Sequence, residues 1–232
     1  MVIRLGYINP LFTSSPTRII STGIDLFSSG AIYKDLRVSG IEFIWGFGLA
    51  IFVGVPLGIL MGWYYRVNAI LEPFVSALYA TPRIALLPLI IIWFGIGVFS
   101  KIAIIFLGAV FPILVNTITG MRTVDAHFIK TARSFGASDL QIFRTVALPA
   151  SVPLILTGLR LGLGHALIGI VVGELYAATA GIGFFITVAG ATFQTDKVMV
   201  GIIIIAAGGV LLAECIRLIE RRFESWRPNI KE

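Results

Sequence analysis

The chain has 232 residues, of which 57% are hydrophobic and only 13% are charged, and its mean hydropathy is +0.97. Soluble domains carry about 25% charged residues, so this composition excludes a cytosolic enzyme, a disordered chain and a nucleic-acid-binding protein. The net charge of +6 is typical of a membrane protein with an excess of basic residues in its cytoplasmic loops. We therefore expect a multi-pass protein of the cell (inner) membrane that contacts lipid and no nucleic acid.

The first segment, residues 1–40, is too polar to span a bilayer, and we expect it to be extracytoplasmic. Pro10, Pro16 and the polar residues between them interrupt helices, and residues 17–38 form only a mildly amphipathic stretch. The segment also does not follow the order of a signal peptide, in which a basic head and an apolar run precede a small-residue cleavage site.

Five apolar segments follow, and a spanning helix needs about 20 mostly apolar residues. Prolines begin and end the stretch 73–82, so the second span is either one long helix or a broken one. The stretch 178–196 is apolar but rich in Gly and Thr, and we interpret it as a re-entrant or interfacial segment, with a sixth span as the alternative. We predict an all-α, polytopic transmembrane domain over 41–220, with spans at 41–64, 74–96, 99–120, 153–177 and 198–218.

Basic residues orient these spans, because cytoplasmic loops are enriched in Lys and Arg. If the loop 121–152 and the tail 221–232 are cytoplasmic, the inside segments hold ten Lys and Arg residues when Arg66 and Arg217, at the inner ends of spans, are counted with them. The outside hairpins hold only Lys101 and Lys197. The N-terminal segment is then outside, although a short basic segment does not ordinarily cross a membrane without a helix to lead it.

Small residues form a stripe on the first span. Gly54, Gly58 and Gly62 recur at intervals of four residues, on one helix face. Such a stripe lets another helix approach closely. We expect it to serve helix packing, either within the chain or between two copies.

The polar loop 121–152 has the pattern of a helix–turn–helix. Asp125 is placed to cap the first helix, and Gly136 follows its apolar face where a left-handed cap is expected. Ser138 and Gln141 form a capping box for the second helix, and we expect Pro149 to end that helix. A helical pair this short has too small a core to be stable alone. It must therefore lie against the membrane face or against a partner.

This loop resembles the cytoplasmic signature of permeases of binding-protein-dependent ABC importers. That signature is Glu-Ala-Ala, three residues, Gly, nine residues, Ile, one residue, Leu-Pro. Here Lys130-Thr131-Ala132 replaces Glu-Ala-Ala, Gly136 follows at the same distance, and Val146-Ala147-Leu148-Pro149 ends the motif. The departures are Lys130 and Thr131. A Glu at the first position can make charged contacts to the ATPase, and Lys130 reverses that sign.

Other segments resemble one subgroup, the aliphatic sulfonate, taurine and nitrate permeases, which also includes thiamine-precursor and riboflavin importers. The resemblance covers about residues 10–227. It rests on Leu87-Pro88-Leu89, Trp93-Phe94-Gly95-Ile96-Gly97, Ser134-Phe135-Gly136-Ala137-Ser138, Leu156-Thr157-Gly158-Leu159-Arg160-Leu161, Gly173-Glu174-Leu175 and Ala180-Gly181-Ile182-Gly183.

The resemblance implies an importer-permease (MetI-like) fold and a permease subunit that forms the path for a small anionic or heteroaromatic solute. It implies two permease chains, which we expect to be identical, an ABC ATPase dimer and an extracytoplasmic solute-binding protein. ATP and Mg bind to the ATPase, and we expect no cofactor on this chain. Coupling through 124–149 is assigned to Lys130, Thr131, Ala132, Arg133, Gly136, Ala137, Ser138, Val146, Leu148 and Pro149.

The family normally has six spans, the first of them upstream of a Pro-Ser-Pro-like stretch. In this chain the corresponding stretch, from Asn9-Pro10 to Ser15-Pro16, lies almost at the start. We expect that the chain begins late, through an internal start or a truncated gene model, and a genuine five-helix variant is the alternative.

Ionisable residues within spans are candidates for the translocation path, because burying them in a bilayer is costly. Glu174 is the first candidate, with an interhelical hydrogen bond as its structural alternative. His165 lies nine residues before it, on the opposite face of the helix. Arg83 follows Pro82, where the second span can break, and broken helices often line transport paths.

The motifs of other functions are missing from the sequence. There is no Gly-x-x-x-x-Gly-Lys-Ser/Thr phosphate loop, no Ser-His-Asp grouping and no metal-ligand spacing, so we expect no catalytic site and no metal site. The alternatives are an ATPase-independent channel or carrier, a decayed permease in which Lys130 weakens coupling, and a membrane-embedded enzyme that uses Glu174 and His165.

Overall fold

The computed structural model describes residues 14–223, and this part of the chain is helical with no β-strand. Predictions for residues 1–13 and 224–232 lie outside the described residues. A 3-10 turn, Arg83–Leu86, precedes α4, and a π-helical turn, Phe143–Ala147, joins α7 to α8. The helices are α1 (Pro16–Ser28), α2 (Tyr33–Trp63), α3 (Tyr65–Ala80), α4 (Leu87–Phe94), α5 (Val98–Arg122), α6 (Ala126–Ser134), α7 (Asp139–Ile142), α8 (Leu148–Ala177), α9 (Ile182–Ala191) and α10 (Thr195–Arg222).

Four helical segments of the described chain are long and apolar enough to cross a membrane: α2, α5, the continuous segment Asp139–Ala177 and α10. A fifth crossing is counted if α3 and Arg83–Phe94, which meet at an 85° bend, are one broken span. Of the two alternatives for the second predicted span, the structure therefore shows the broken helix. The ten residues of α9 extend only about 15 Å, half of a bilayer core, so the alternative of a sixth helical span is wrong.

The helix that carries the first predicted span, 41–64, begins earlier than that span. α2 begins at Tyr33, so its first two turns carry polar residues. Asp35 lies in the first turn, where a carboxylate complements the helix dipole. The side chains of Asp35 and Ser39 also bind backbone N–H groups of a later helix, which compensates their burial.

A separate helix, α1, precedes this span. The Ser15 hydroxyl accepts from the Arg18 backbone N–H and caps the helix. Arg18 pairs with Asp196 at the start of α10, with 2.6 Å between Nη2 and Oδ2. Leu26 belongs to a buried apolar cluster with Val200. α1 is therefore tied to α10 by one ion pair and one apolar contact.

Pro149 does not end a helix, contrary to the sequence prediction. Pro149 is the second residue of α8. The helix α7, the π-turn and α8 together form one continuous helical segment, Asp139–Ala177. Proline lacks an N–H and its ring crowds the carbonyl four residues earlier. The wider π-turn relieves this crowding, since the Leu148 N–H donates to Phe143, five residues back.

The chain divides into two compact units, and α2, α5, α8 and α10 each contribute residues to both. Among the described residues, the first unit consists of 14–46, Ile84–Ile105 and Ala166–Leu211, and the second of Phe47–Arg83, Phe106–His165 and 212–223.

Within the second unit, the glycine stripe of α2 packs on α5. A Cβ atom added to Gly58 would lie 2.6 Å from Thr117 Cβ, and one added to Gly54 would lie 3.0 Å from Ile113 Cγ2. Gly62 is similarly close to Met121. These approaches are too short for any side chain larger than hydrogen, so the stripe sets the distance between α2 and α5.

The same contacts fix the direction of the two helices. The residue numbers in the α2–α5 pairs rise together, from Gly54 beside Ile113 to Gly62 beside Met121, so α2 and α5 run parallel. The chain leaves α2 beside the C-terminal end of α5 and then enters α5 at Val98. The segment between them must return along the length of α5, which supports counting α3 and α4 as one broken span.

Replacing Gly58 with Leu is expected to destabilise the protein, because the new side chain would overlap Thr117. Overpacking of this kind costs about 1–3 kcal/mol. We expect a lower apparent melting temperature in detergent, measured by circular dichroism at 222 nm.

Gly48→Leu is the matched control on the same helix, since an added Cβ at Gly48 meets no atom within 4 Å. Equal melting temperatures for the two variants would contradict close packing of the stripe.

Candidate coupling surface and buried polar sites

The first helix of the 121–152 loop is closed at both ends by local hydrogen bonds. Asp125 Oδ1 accepts from the His127 backbone N–H at 2.8 Å, which confirms the predicted cap. At the other end Gly136 has φ +77°, its N–H donates to Arg133, and the N–H of Ala137 donates to Ala132. This is a Schellman termination, so the predicted left-handed cap at Gly136 is confirmed.

The second helix begins with the predicted capping box. The Gln141 backbone N–H donates to Ser138 Oγ, and the Ser138 N–H donates to Gln141 Oε1 at 2.8 Å. An ion pair between Arg133 and Asp139, at 3.2 Å, also joins the two helices. It is exposed and adds little stability, so the backbone caps define the corner.

The helix pair is attached to the C-terminal end of α2 and exposes apolar side chains elsewhere. Trp63 meets Phe143 edge to face, with 5.3 Å between ring centroids. In contrast, Phe128, Phe135 and Leu140 are largely exposed, Phe135 by 88%. Exposed apolar side chains clustered on one surface are typical of an interaction site.

A groove of about 610 Å³ lies between α6 and the start of α8. Ala132 comes from the first part of the signature, and Val146 and Pro149 come from its end. The turn at Gly136 therefore brings both parts of the signature to one groove, while Lys130 lies exposed on α6. The lining residues are Phe128, Thr131, Ala132, Thr145, Val146, Pro149 and Ala150.

Within the first unit, Glu174 is enclosed rather than open to a path. Its side chain is 1% exposed, Oε1 accepts from Ser39 Oγ at 2.5 Å and Oε2 accepts from the Gly183 N–H at 2.6 Å. Ser39 Oγ accepts from Ile182, and Asp35 Oδ1 accepts from Gly181, both at 2.8 Å. Side chains of α2 and α8 thus bind the N–H groups at the start of α9.

Glu42 and Lys101 lie in the same unit and were not recognised from the sequence. Glu42 is fully buried, and neither of its carboxylate oxygens has a hydrogen-bond partner among the described residues. Lys101 Nζ is 3.5 Å from Glu42 Oε1, and the Lys101 side chain is only 4% exposed. Lys101, which the sequence analysis counted with the outside hairpins, lies in the first turn of α5 with its side chain buried. A Cβ atom added to Gly173 would lie 3.2 Å from Lys101 Cγ, so a glycine at this position leaves room for the Lys101 side chain.

Within the second unit, Arg83 is held by a carbonyl of α5. Its Nη1 donates to the Gly108 oxygen at 2.8 Å. A helical carbonyl normally accepts from the residue four positions later, which here is Pro112, and proline has no N–H. The guanidinium carbon also lies 5.4 Å and 5.9 Å from the ring centroids of Tyr79 and Phe111.

The other ionisable residues of the spans have local partners. His165 is exposed, and its Nδ1 lies 2.9 Å from the Leu161 oxygen of its own helix. Arg160 forms an ion pair with Glu220 of α10. Within residues 14–223 no three His, Cys, Asp or Glu residues form a metal-binding group.

Sequence comparison identifies the family of this chain. Residues 54–225 match the family described as "Binding-protein-dependent transport system inner membrane component". The chain belongs to this family, and it is a membrane permease subunit of an ABC importer.

Three relatives show the breadth of that family. SsuC of Bacillus subtilis (strain 168), which carries the name of an aliphatic sulfonates transport permease, is 40% identical over 97% of this chain and 82% of its own length. TauC of Escherichia coli (strain K12), a taurine transport permease, is 36% identical over 99% and 86%. ThiX of Halalkalibacterium halodurans, a formylaminopyrimidine transport permease, is 33% identical over 95% and 88%.

The fold is also found in a solved structure. A chain of the MetNI methionine ABC transporter in an inward-facing conformation superposes with a TM-score of 0.60 at 19% identity, covering 85% of this chain and 94% of that chain. This likeness confirms the predicted importer-permease fold.

Gly181→Ala is expected to destabilise the start of α9. Gly181 has φ +117°, and an added Cβ would overlap the Glu174 carboxyl group. Strain at such a position costs about 1–3 kcal/mol, so the variant should show a lower melting temperature and faster amide exchange at residues 181–183.

Gly190→Ala is its control in the same helix, since there an added Cβ meets only Val198 at 4.0 Å. Amide exchange in Gly181→Ala as slow as in the wild type would contradict the capped arrangement.

Proposed function

We propose that two copies of this chain form the translocation path of an ABC importer, and that two separate ATPase subunits drive it through the loop 121–152. ATP and Mg bind to those ATPase subunits, and an extracytoplasmic binding protein delivers the solute. The observation that carries this proposal is that both parts of the signature line one groove, on a helix pair that also exposes Phe135.

The hydrogen-bonded caps of the loop and its continuity with α8 support a coupling role. A switching element must move as a rigid body to transmit motion, and the hydrogen-bonded caps at Asp125, Gly136 and Ser138 make the helix pair rigid. The segment Asp139–Ala177 is helical throughout, so a displacement of α7 also moves α8. Contact with the ATPase is proposed for Lys130, Thr131, Ala132, Arg133, Gly136, Ala137, Ser138, Val146, Leu148 and Pro149.

The solute is proposed to be small and either anionic or heteroaromatic. The names of the relatives include solutes of both kinds: sulfonates and taurine are anionic, and a formylaminopyrimidine is heteroaromatic. Among the predicted path residues, Arg83 stands at the bend of a broken span and is our first candidate. Glu174 is proposed to hold α9, and a path role for His165 stays a prediction.

The alternatives are disfavoured by family membership and predict different results. A channel or carrier would take up solute without an ATPase. A decayed permease would gain solute-linked ATP hydrolysis from Lys130→Glu, because that change restores the family's residue. A membrane enzyme would turn over a substrate through Glu174 and His165.

Replacing Gly136 with Val tests the coupling loop. Valine is strained at φ +77°, and an added Cβ at Gly136 meets no atom within 4 Å of the chain itself. The loop backbone should change while the spans stay intact. We expect at least a tenfold lower recovery of the cognate ATPase in a detergent pull-down, with an unchanged far-ultraviolet circular dichroism spectrum.

Gly136→Asn is the matched control, because asparagine tolerates left-handed backbone, and it should recover the ATPase nearly as well as the wild type. A folded wild-type chain that recovers no ATPase, or a Val variant that recovers as much as the wild type, would count against coupling through this loop.

A further inference from the structure

Arg83 places a positive charge near the middle of the membrane. Its hydrogen-bond partner Gly108 follows Val98, the first residue of α5, by ten positions and precedes Arg122, the last, by fourteen. At 1.5 Å per residue these are distances of about 15 and 21 Å along the helix. A hydrocarbon core is about 30 Å thick, so if α5 crosses it from end to end, Gly108 and the guanidinium beside it lie away from both headgroup layers. A cation at this depth indicates a function by default.

The contacts of Arg83 hold the side chain in place without neutralising it. One of its five N–H groups donates to the Gly108 carbonyl that Pro112 leaves free. The Tyr79 and Phe111 rings lie within cation–π distance. Among residues 14–223, no ion pair joins Arg83 to a carboxylate. The guanidinium therefore keeps its charge and several N–H donors.

The backbone beside Arg83 is not helical, and the Arg83 side chain is only partly buried. The span bends by 85° between Ala80 and Arg83, and non-helical backbone at membrane depth is tolerated only inside protein or beside a water-filled cavity. Arg83 is only partly buried, and Tyr79 is 42% exposed. A solute that reaches this bend would meet the free N–H groups of Arg83 beside an aromatic ring.

We propose that Arg83 binds the anionic group of the transported solute. Of the solutes that the relatives are named for, this selects the organic sulfonates over the formylaminopyrimidine. The inference rests on the proposed function and narrows its solute class. A guanidinium donates two parallel N–H bonds to an oxoanion, and an anion supplies the missing counter-charge, which a neutral heteroaromatic solute does not. Pro112 is a positioning residue, because it frees the carbonyl that orients Arg83.

The test uses the permease–ATPase complex in proteoliposomes with its binding protein, and measures ATP-driven uptake of two probes, radiolabelled taurine and a neutral aminopyrimidine. We expect uptake of taurine. Arg83→Gln should lower it at least tenfold. Arg83→Lys keeps the charge and a donor for Gly108 but loses the paired N–H groups, and should raise the half-saturating taurine concentration about five- to tenfold.

Pro112→Ala provides a variant that is expected to fold. It returns a helical N–H to the Gly108 carbonyl, which then competes with Arg83, so the half-saturating taurine concentration should rise several-fold without loss of assembly. Lys34→Gln, which removes an exposed charge from the start of α2, should transport as the wild type does.

Three results would overturn the inference: wild-type taurine uptake by Arg83→Gln, uptake of the aminopyrimidine in place of taurine, or uptake of neither probe by an assembled wild-type complex. Unaltered taurine kinetics in both Arg83→Lys and Pro112→Ala would do the same and would leave Arg83 a structural residue. Failure of the proposed function is distinct, because the wild-type chain would then not assemble with an ATPase at all.

Discussion

A bilayer interior offers no water to satisfy a broken helix, so each interruption must find a partner within the protein. The described part of the chain meets this demand with side chains. Pro112 leaves a carbonyl of α5 free, and Arg83 donates to it. The start of α9 presents free N–H groups, and Asp35, Ser39 and Glu174 accept from them. These contacts allow irregular backbone inside an apolar protein.

The proposed coupling loop depends on a different balance, because we expect it to face water on the cytoplasmic side. Its caps fix the backbone of α6 and α7, while Phe135 and the groove between α6 and α8 leave apolar surface for a partner to cover. The π-turn lets the second helix continue past Pro149 into a span. The loop is thus an extension of the transmembrane helices, which suits it to transmit movement.

Local interactions were predictable from the sequence, and distant ones were not. The caps at Asp125, Gly136 and Ser138 depend on residues within one or two turns, and all three predictions are confirmed. Glu42 was overlooked because it directly precedes an uncharged run, and its neighbour Lys101 is on another helix. Only tertiary packing shows that both are buried.

Two helix boundaries that the sequence did not predict have the same origin. Polar residues argued against a helix that begins at residue 33, but their partners at the start of α9 lie about 145 residues away along the chain. Pro149 argued for a helix end, but a π-turn accommodates it. In both cases a valid local preference was overridden by a backbone or side-chain contact that composition does not reveal.

Cross-linking from the loop tests the central claim most directly. With Cys215 replaced by Ser, a cysteine at position 135 should form a cross-link to the ATPase subunit in the assembled complex, and the yield should change when ATP is added. A cysteine at position 34, near the start of α2, should form none. The absence of a cross-link from position 135, in a complex that still takes up solute, would contradict coupling through this loop.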